Sequence, residues 1–334
     1  MSSTNLLSIV VSADDGYAMP LAVAVQSILD TLDTMYEIDL YILDGGVSLA
    51  NRERCQSTWQ CRARSIHWIH PPQETIQMFS SSDHFTVATY FRLLLDQLLP
   101  VDVSLVVYVD PDTLCRKSIH EIANTNLHDH PIAATQDIFC PFIDNRYAMP
   151  NFDMARGNVY GLPAVPDSVE RGVPGNQPYF NAGLMVVDLD CFRNREIGER
   201  LLFYAAKFKG QLLWADQCAL NGCLGDQWIQ LDPIWNVTTP TFNLPSFQYS
   251  CFDQRTFERM VRDPALIHYA GPKKPWHYAS QVGFVHEYLL AIDGTAWKGW
   301  RPKSPSEEIS QNANRSKMRW YERFFTSRGR GRAA

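Results

Sequence analysis

Through the first 110 residues, short apolar runs rich in β-branched side chains alternate with longer segments of helical period, and few architectures accept that pattern. Residues 6–11, 38–43, 65–69 and 104–109 read as strands, while 20–32, 49–62 and 86–99 read as helices, with Pro20 suited to a first turn. Such repeats pack as an α/β fold, a central mostly parallel sheet covered by helices. Ligands of these sheets sit beyond the carboxyl ends of the strands, so the residues after strands one and four are where a nucleotide site is expected. Residues 145–177 are rich in Pro, Gly, Asn and Asp without periodicity and read as a long loop, a frequent form of binding lid. A strand at 183–187, helices at 197–209 and 215–224, and a late strand at 265–269 follow.

With 334 residues, 46% of them hydrophobic, the chain can bury the core of one large domain or two smaller ones. Its net charge of -6 argues against a general nucleic-acid binder, which needs a concentrated basic surface. The segment 315–334 departs from that balance: seven basic residues against Glu322 give it +6 and leave -12 on the remainder. The eight cysteines form no Cys-x-x-Cys pair and no zinc spacing, so reduced, mostly buried thiols are expected. The apolar run 6–11 lacks a basic leader, and no apolar stretch reaches the roughly 18 residues of a membrane span. A cytoplasmic location is expected, with any membrane contact peripheral.

Tyr108-Val109-Asp110-Pro111-Asp112 carries the strongest local signal, an apolar strand running into two carboxylates one residue apart. Side chains i and i+2 of an extended chain project to the same side, and Pro111 biases Asp110 toward extended conformations. Both carboxylates can then face one hard divalent cation such as Mn2+ or Mg2+. The same residues also suit an ordinary turn. Asp188-Leu189-Asp190 serves as an internal control: it too follows an apolar run, but it leads straight into a helical pattern, where Asp190 reads as an N-cap.

At the end of the first strand, Ser12-Ala13-Asp14-Asp15-Gly16-Tyr17 offers polar groups and a Gly where a base can be held. Asp14 is suited to hydrogen-bond a uracil N–H and Tyr17 to pack on the ring; the alternative is an acidic turn and helix cap. Arg92 lies beside the apolar stripe of Val87, Tyr90, Phe91, Leu94 and Leu98. It either pairs with Asp96 one turn on, worth about 0.3 kcal/mol, or reaches the acidic pair. Farther on, the run from His268 through Gly271 and Lys274 to Trp276 again follows an apolar strand. Imidazole can complete a carboxylate metal site, Gly permits close backbone approach to phosphates, and Lys neutralises them; a purely structural His is the alternative.

Together these segments resemble glycosyltransferase family 8, the retaining enzymes that include bacterial lipopolysaccharide galactosyl- and glucosyltransferases and, more distantly, glycogenin. The resemblance spans roughly residues 6–276. Its ordered matches are Ala13-Asp14-Asp15-Gly16-Tyr17, Thr89-Tyr90-Phe91-Arg92-Leu93, Tyr108-Val109-Asp110-Pro111-Asp112, Tyr179-Phe180-Asn181-Ala182-Gly183, Ala215-Asp216-Gln217, and His268-x-x-Gly271-x-x-Lys274-Pro275-Trp276.

The resemblance implies a GT-A type nucleotide-sugar-binding fold in which Asp110, Asp112 and His268 bind Mn2+ (Mg2+ as the alternative) and the diphosphate. Ala13, Asp14 and Tyr17 would hold uridine, Gly271 and Lys274 would meet the phosphates, and Arg92, Asn181, Asp216 and Gln217 would surround the sugar. Asp216 and Gln217 are its implied catalytic pair; without it, Asn181 reads as a strand-entry turn and the pair as a solvated helix face. It also implies a UDP-galactose or UDP-glucose donor, a glycan or other hydroxyl acceptor, and a retained α linkage. Gly16 replaces an Asn of many bacterial members, and Cys218 replaces the second Asp of an Asp-Gln-Asp run, which bears on donor preference.

The expected organisation is one catalytic domain over 1–300 and a tail over 301–334, whose aromatic residues interleaved with basic ones suit an anionic membrane surface. Two other functions fit parts of this pattern: a non-catalytic nucleotide-sugar or carbohydrate-binding protein on the same fold, and a nucleotidyltransferase, which would release pyrophosphate.

Overall fold

The computed structural model describes residues 5–59, 62–72, 87–149 and 151–304. Of the tail expected over 301–334, residues 305–334 lie outside the described residues, as do 60–61 of the second expected helix and Thr86 at the start of the third. The strands are β1 (Asn5–Ala13), β2 (Tyr36–Asp44), β3 (Ser65–Ile69), β4 (Leu105–Val109), β5 (Thr113–Cys115), β6 (Ile132–Gln136), β7 (Phe180–Asp188), β8 (Trp228–Gln230), β9 (Val237–Thr238) and β10 (Leu266–His268). Seven of them form one sheet in the order β3-β2-β1-β4-β7-β6-β8, and β5-β10-β9 form a second. In the large sheet β7 alone runs against its neighbours, pairing antiparallel with β4 and β6, so the sheet is mostly parallel.

Alternation along the strands gives the sheet a core on each face. Ile9 and Val11 of β1 pack in one cluster with Leu21, Val25 and Ile28 of the helix Ala18–Thr31. Val10, pointing the other way, joins Phe91, Tyr108 and Leu220. After β1 the chain moves outward through β2 and β3, then returns with β4 to the opposite side of β1. That reversal opens a crevice beyond the carboxyl ends of β1 and β4. Asp14 follows one of these strands and Asp110 the other.

Several local expectations change. The third expected helix is wound as a 3-10 helix over Val87–Leu94, with one α-turn at Leu95–Leu98. The 145–177 loop contains helical turns at Asn145–Ala148 and Phe152–Ala155. Buried Asn145 pins it by accepting from the Phe142 N–H at 2.9 Å and donating to the Tyr160 carbonyl at 2.8 Å. The N-cap expected at Asp190 is a correction: Asp188 caps the helix Leu189–Asn194, accepting from the Cys191 N–H at 2.7 Å. Pairing of Asp188 with Leu105 keeps it extended, the backbone state an N-cap requires, and Asp190 falls inside the first turn.

Cys55, Cys115, Cys140 and Cys218 are buried free thiols, and Cys191, Cys223 and Cys251 are half-buried free thiols. No described helix is long and apolar enough to cross a membrane.

Candidate metal and donor site

The small sheet assembles the acidic pair with the imidazole. Asp112 immediately precedes β5, whose Thr113 stands opposite His268 at the end of β10. The Tyr269 N–H donates to the Asp112 carbonyl at 2.9 Å, and the Asp110 N–H donates to the Gly183 carbonyl of β7 at 2.8 Å, tying the acidic turn to both sheets. Asp110, Asp112 and His268 consequently offer ligand atoms within 4.8 Å of one another. Two hard carboxylates and one imidazole fit a divalent cation.

Arg92 is buried and forks onto Asp110, with Nη2 2.7 Å from Oδ1 and Nη1 donating to Oδ2 at 3.2 Å. The expected alternative, a surface pair with Asp96, is not formed. Nη1 also donates to the Ala182 carbonyl at 2.7 Å, and the guanidinium lies over the Tyr108 ring at 4.6 Å. Nε donates to the Thr89 carbonyl one 3-10 turn back. Its 2.8 Å approach to Asp216 Oδ2 is thus an ion pair without an aligned hydrogen bond, and that buried oxygen has no hydrogen-bond donor among the described residues. Burial opposes the Arg92 charge, but Asp110 and Asp216 outweigh it and raise the guanidinium pKa. Burial pushes Asp216 up to about 6 against the pull of Arg92.

On the other side, Lys274 Nζ donates to Asp112 Oδ2 at 2.5 Å and to the Tyr269 carbonyl at 2.8 Å. Burial favours a neutral Asp112, yet the Lys274 ammonium holds its carboxyl well below the usual range. Asp110, Asp112 and Asp216 against Arg92 and Lys274 leave one net negative charge, which a divalent ion would turn to one positive. That is the sign a diphosphate requires.

Asp216 opens the helix Ala215–Leu224 and is buried, so the solvated-face alternative does not hold. Ala215 before it has φ +43°, a left-handed conformation that L-residues adopt at a cost and that clusters at functional sites. Gln217 accepts from the Ala182 N–H at 3.1 Å and donates to Asp137 Oδ2 at 3.2 Å. Asn181 is buried within β7, not at a turn before it. Cys218, where this sequence departs from the Asp-Gln-Asp run, points into the core and accepts from the Tyr179 hydroxyl at 3.3 Å.

The residues expected on the base side are joined more loosely. The Ala13 carbonyl ends β1 by accepting from the Gly45 N–H at 2.8 Å. Asp14 caps the short 3-10 helix Asp15–Tyr17, accepting from the Tyr17 N–H at 3.1 Å, so the capping alternative is realised. Tyr17 meets Trp276 edge-on with centroids 5.8 Å apart. Gly271 has φ +89° with nothing near an added Cβ, so it is the backbone conformation that favours glycine here.

Sequence reading missed Asp137, Asn236 and the Tyr108 hydroxyl, which donates to Asp110 Oδ1 at 3.0 Å. Asp137 follows β6, whose short apolar run 132–134 was the one available signal. Asn236 lies in a 3-10 turn, Pro233–Asn236, where no pattern marks it.

The family model described as "Glycosyl transferase family 8" matches residues 8–280. The chain belongs to glycosyltransferase family 8. General stress protein A of Bacillus subtilis (strain 168) is 25% identical over 300 residues, covering 89% of this chain and 96% of that protein. Lipopolysaccharide 1,3-galactosyltransferase of Salmonella typhimurium is 23% identical over 227 residues, covering 67% and 59%. Among solved structures, galactosyltransferase LgtC in complex with donor and acceptor sugar analogues superposes with a TM-score of 0.70 at 24% identity, covering 91% of this chain and 99% of that one. The family 8 fold here is of the GT-A type, and the membership makes the protein a glycosyltransferase.

Proposed function

We propose that this glycosyltransferase moves a hexose, galactose or glucose, from a UDP-sugar to a hydroxyl of a glycan acceptor, and that the product keeps the α configuration. The observation that carries the reading is Arg92, which links the acidic metal group to Asp216 inside one buried cluster. A transferase acting on a nucleotide sugar must hold a leaving diphosphate and a sugar side by side, and this cluster has a face for each. The lipopolysaccharide galactosyltransferase among the relatives supports the sugar class.

Asp110, Asp112 and His268 would hold Mn2+, with Mg2+ as the alternative. When bound, the ion neutralises charge that develops on the departing diphosphate. Lys274, charged and buried beside Asp112, adds a second positive group for the same phosphates, and Gly271 presents backbone to them. Tyr17 and Asp14 line the base end beyond β1. Asp216, held by Arg92 through Oδ2, would stabilise the positive charge that develops at the anomeric carbon. Gln217 is a weak nucleophile and orients the sugar through its amide, which Asp137 and the Ala182 N–H hold in place. The acceptor hydroxyl approaches on the same face and loses its proton to the leaving phosphate, which makes an electrostatic role for Asp216 sufficient.

We also propose that this catalytic unit extends to about residue 300 and that the segment beyond it is a separate basic, aromatic tail for an anionic membrane surface. The enzyme would then work in the cytoplasm beside a membrane.

The test is a donor and acceptor screen that follows UDP release with and without Mn2+, with NMR of the product's anomeric proton. Metal-dependent UDP release and an α-linked product are expected. Full activity in excess chelator, pyrophosphate release, or a β-linked product from an α-linked donor would overturn the reading.

A further inference from the structure

His268 presents Nε2 to Asp110 Oδ2 at 3.7 Å and to Asp112 Oδ1 at 3.4 Å. A neutral imidazole carries one proton, and its position decides what that edge offers. With the proton on Nε2 the ring would donate toward Asp112 and could not ligate a cation there. With the proton on Nδ1, Nε2 has a free lone pair aimed between the two carboxylates.

The surroundings of the opposite edge settle the choice. His268 Nδ1 lies 3.0 Å from Asn236 Oδ1, and the amide orientation of Asn236 follows from its own partners. Its Nδ2 donates to Asn181 Oδ1 at 2.9 Å. Asn181 is oriented twice over: Oδ1 also accepts from the Gly183 N–H at 2.9 Å, a group that can only donate, and Nδ2 donates to Asp137 Oδ2 at 2.8 Å. Asp137 is in turn fixed through Oδ1, which accepts from the N–H groups of Phe139 at 2.7 Å and Cys140 at 2.9 Å. Turning either amide over would bring acceptor against acceptor in a buried site, at the cost of an unpaired polar group. Asn181, Asn236 and His268 are all buried.

We propose that Asp137, acting through Asn181 and Asn236, is a relay that fixes His268 with its proton on Nδ1 and its Nε2 lone pair toward Asp110 and Asp112. The inference rests on the metal-site reading for its purpose, while the tautomer itself is a property of the metal-free protein. Asn236 and Asp137 are positioning residues: they act on the ion through the imidazole. Partners of this kind to a ligating imidazole typically change metal affinity 10- to 100-fold when removed. Asp137 Oδ2 also receives Gln217 Nε2, so one carboxylate orders both the sugar side and the metal side of the cluster.

The experiment is long-range 15N–1H NMR of the full-length protein labelled at histidine nitrogens, in chelator and at a pH where the ring is neutral. His268 should show a protonated Nδ1 and a bare Nε2. A protonated Nε2 in the native protein overturns the proposal without recourse to any variant. Asn236→Leu should release the tautomer and weaken Mn2+ binding, measured by calorimetry, 10- to 100-fold. Asn236→Asp keeps an acceptor for Nδ1 but sets a second acceptor against Asn181 Oδ1, so it should retain the Nδ1–H form while loosening the link to Asn181. An unchanged tautomer and affinity in a folded Asn236→Leu protein also overturns it. If native His268 has the expected tautomer but Mn2+ neither binds nor broadens its resonances, the metal reading fails while the relay stands confirmed.

Discussion

Replacing Asp216 by Asn should stabilise the metal-free protein at neutral pH. Burial pushes this carboxyl up to about 6 from the ordinary 3.8, and the opposing pull of Arg92 does not cancel it. The folded state therefore binds the proton more tightly than the unfolded chain. The stability this group contributes is fully present below pH 3.8 and is lost as the pH rises through about 6. Asn cannot ionise, so the variant should gain on the native protein by about 1 to 2 kcal/mol at pH 5 and about 3 kcal/mol at pH 8. Arg92 keeps Asp110 as its partner, so the substitution leaves no buried charge unpaired. Urea unfolding in chelator at pH 5 to 8 measures the gap directly. A gap that does not grow with pH, or a variant less stable than the native protein at pH 8, would refute the argument. Under the proposed mechanism the same variant should lose turnover far more than donor binding, a trade of activity for stability expected of a strained charge at a reacting centre.

Asp112→Asn removes the charge opposite buried Lys274, so it should abolish most activity and also destabilise the metal-free protein by about 3 kcal/mol, read by the same urea series. Gly183→Ala would drive a methyl into the His268 imidazole and Asn181 Oδ1. It should weaken Mn2+ binding at least about tenfold while the far-ultraviolet circular dichroism stays native; calorimetry with unchanged affinity would show that His268 does not ligate the ion. Truncation after Glu308 should leave UDP release on a soluble acceptor intact and reduce binding to anionic liposomes, with unchanged binding counting against the membrane role of the tail.

Most of the sheet was readable because β1, β2, β3 and β4 are fully or largely apolar runs bounded by helical periods, a signal that burial imposes on each segment independently. Asp110 and Asp112 were readable for the same kind of reason, since an extended chain and Pro111 fix their relation within three residues. The helix Ala215–Leu224 was found at its observed bounds, but neither its period nor its composition marks Asp216 as buried; the resemblance in ordered motifs implied only a place beside the sugar. Strand β6 and the helices Gln254–Arg262 and Val285–Asp293 went unassigned, short elements whose stability comes from the layers they pack against. The capping misassignment at Asp190 has a similar origin, because pairing of Asp188 with Leu105 sets where β7 stops and the helix begins.

Partners separated by tens of residues were beyond local reading. Arg92 reaches Asp216 because the 3-10 helix Val87–Leu94 packs against the helix Ala215–Leu224, and His268 meets Asp112 because β10 pairs with β5. Asp137, Asn181 and Asn236 have ordinary polar side chains in unremarkable contexts. Their directions follow from three-dimensional hydrogen-bond accounting in a buried space, where each donor must find an acceptor and no water relaxes the demand. Local chain stiffness and the period of burial are written residue by residue, whereas the pairing of buried polar groups exists once the sheets have closed around them.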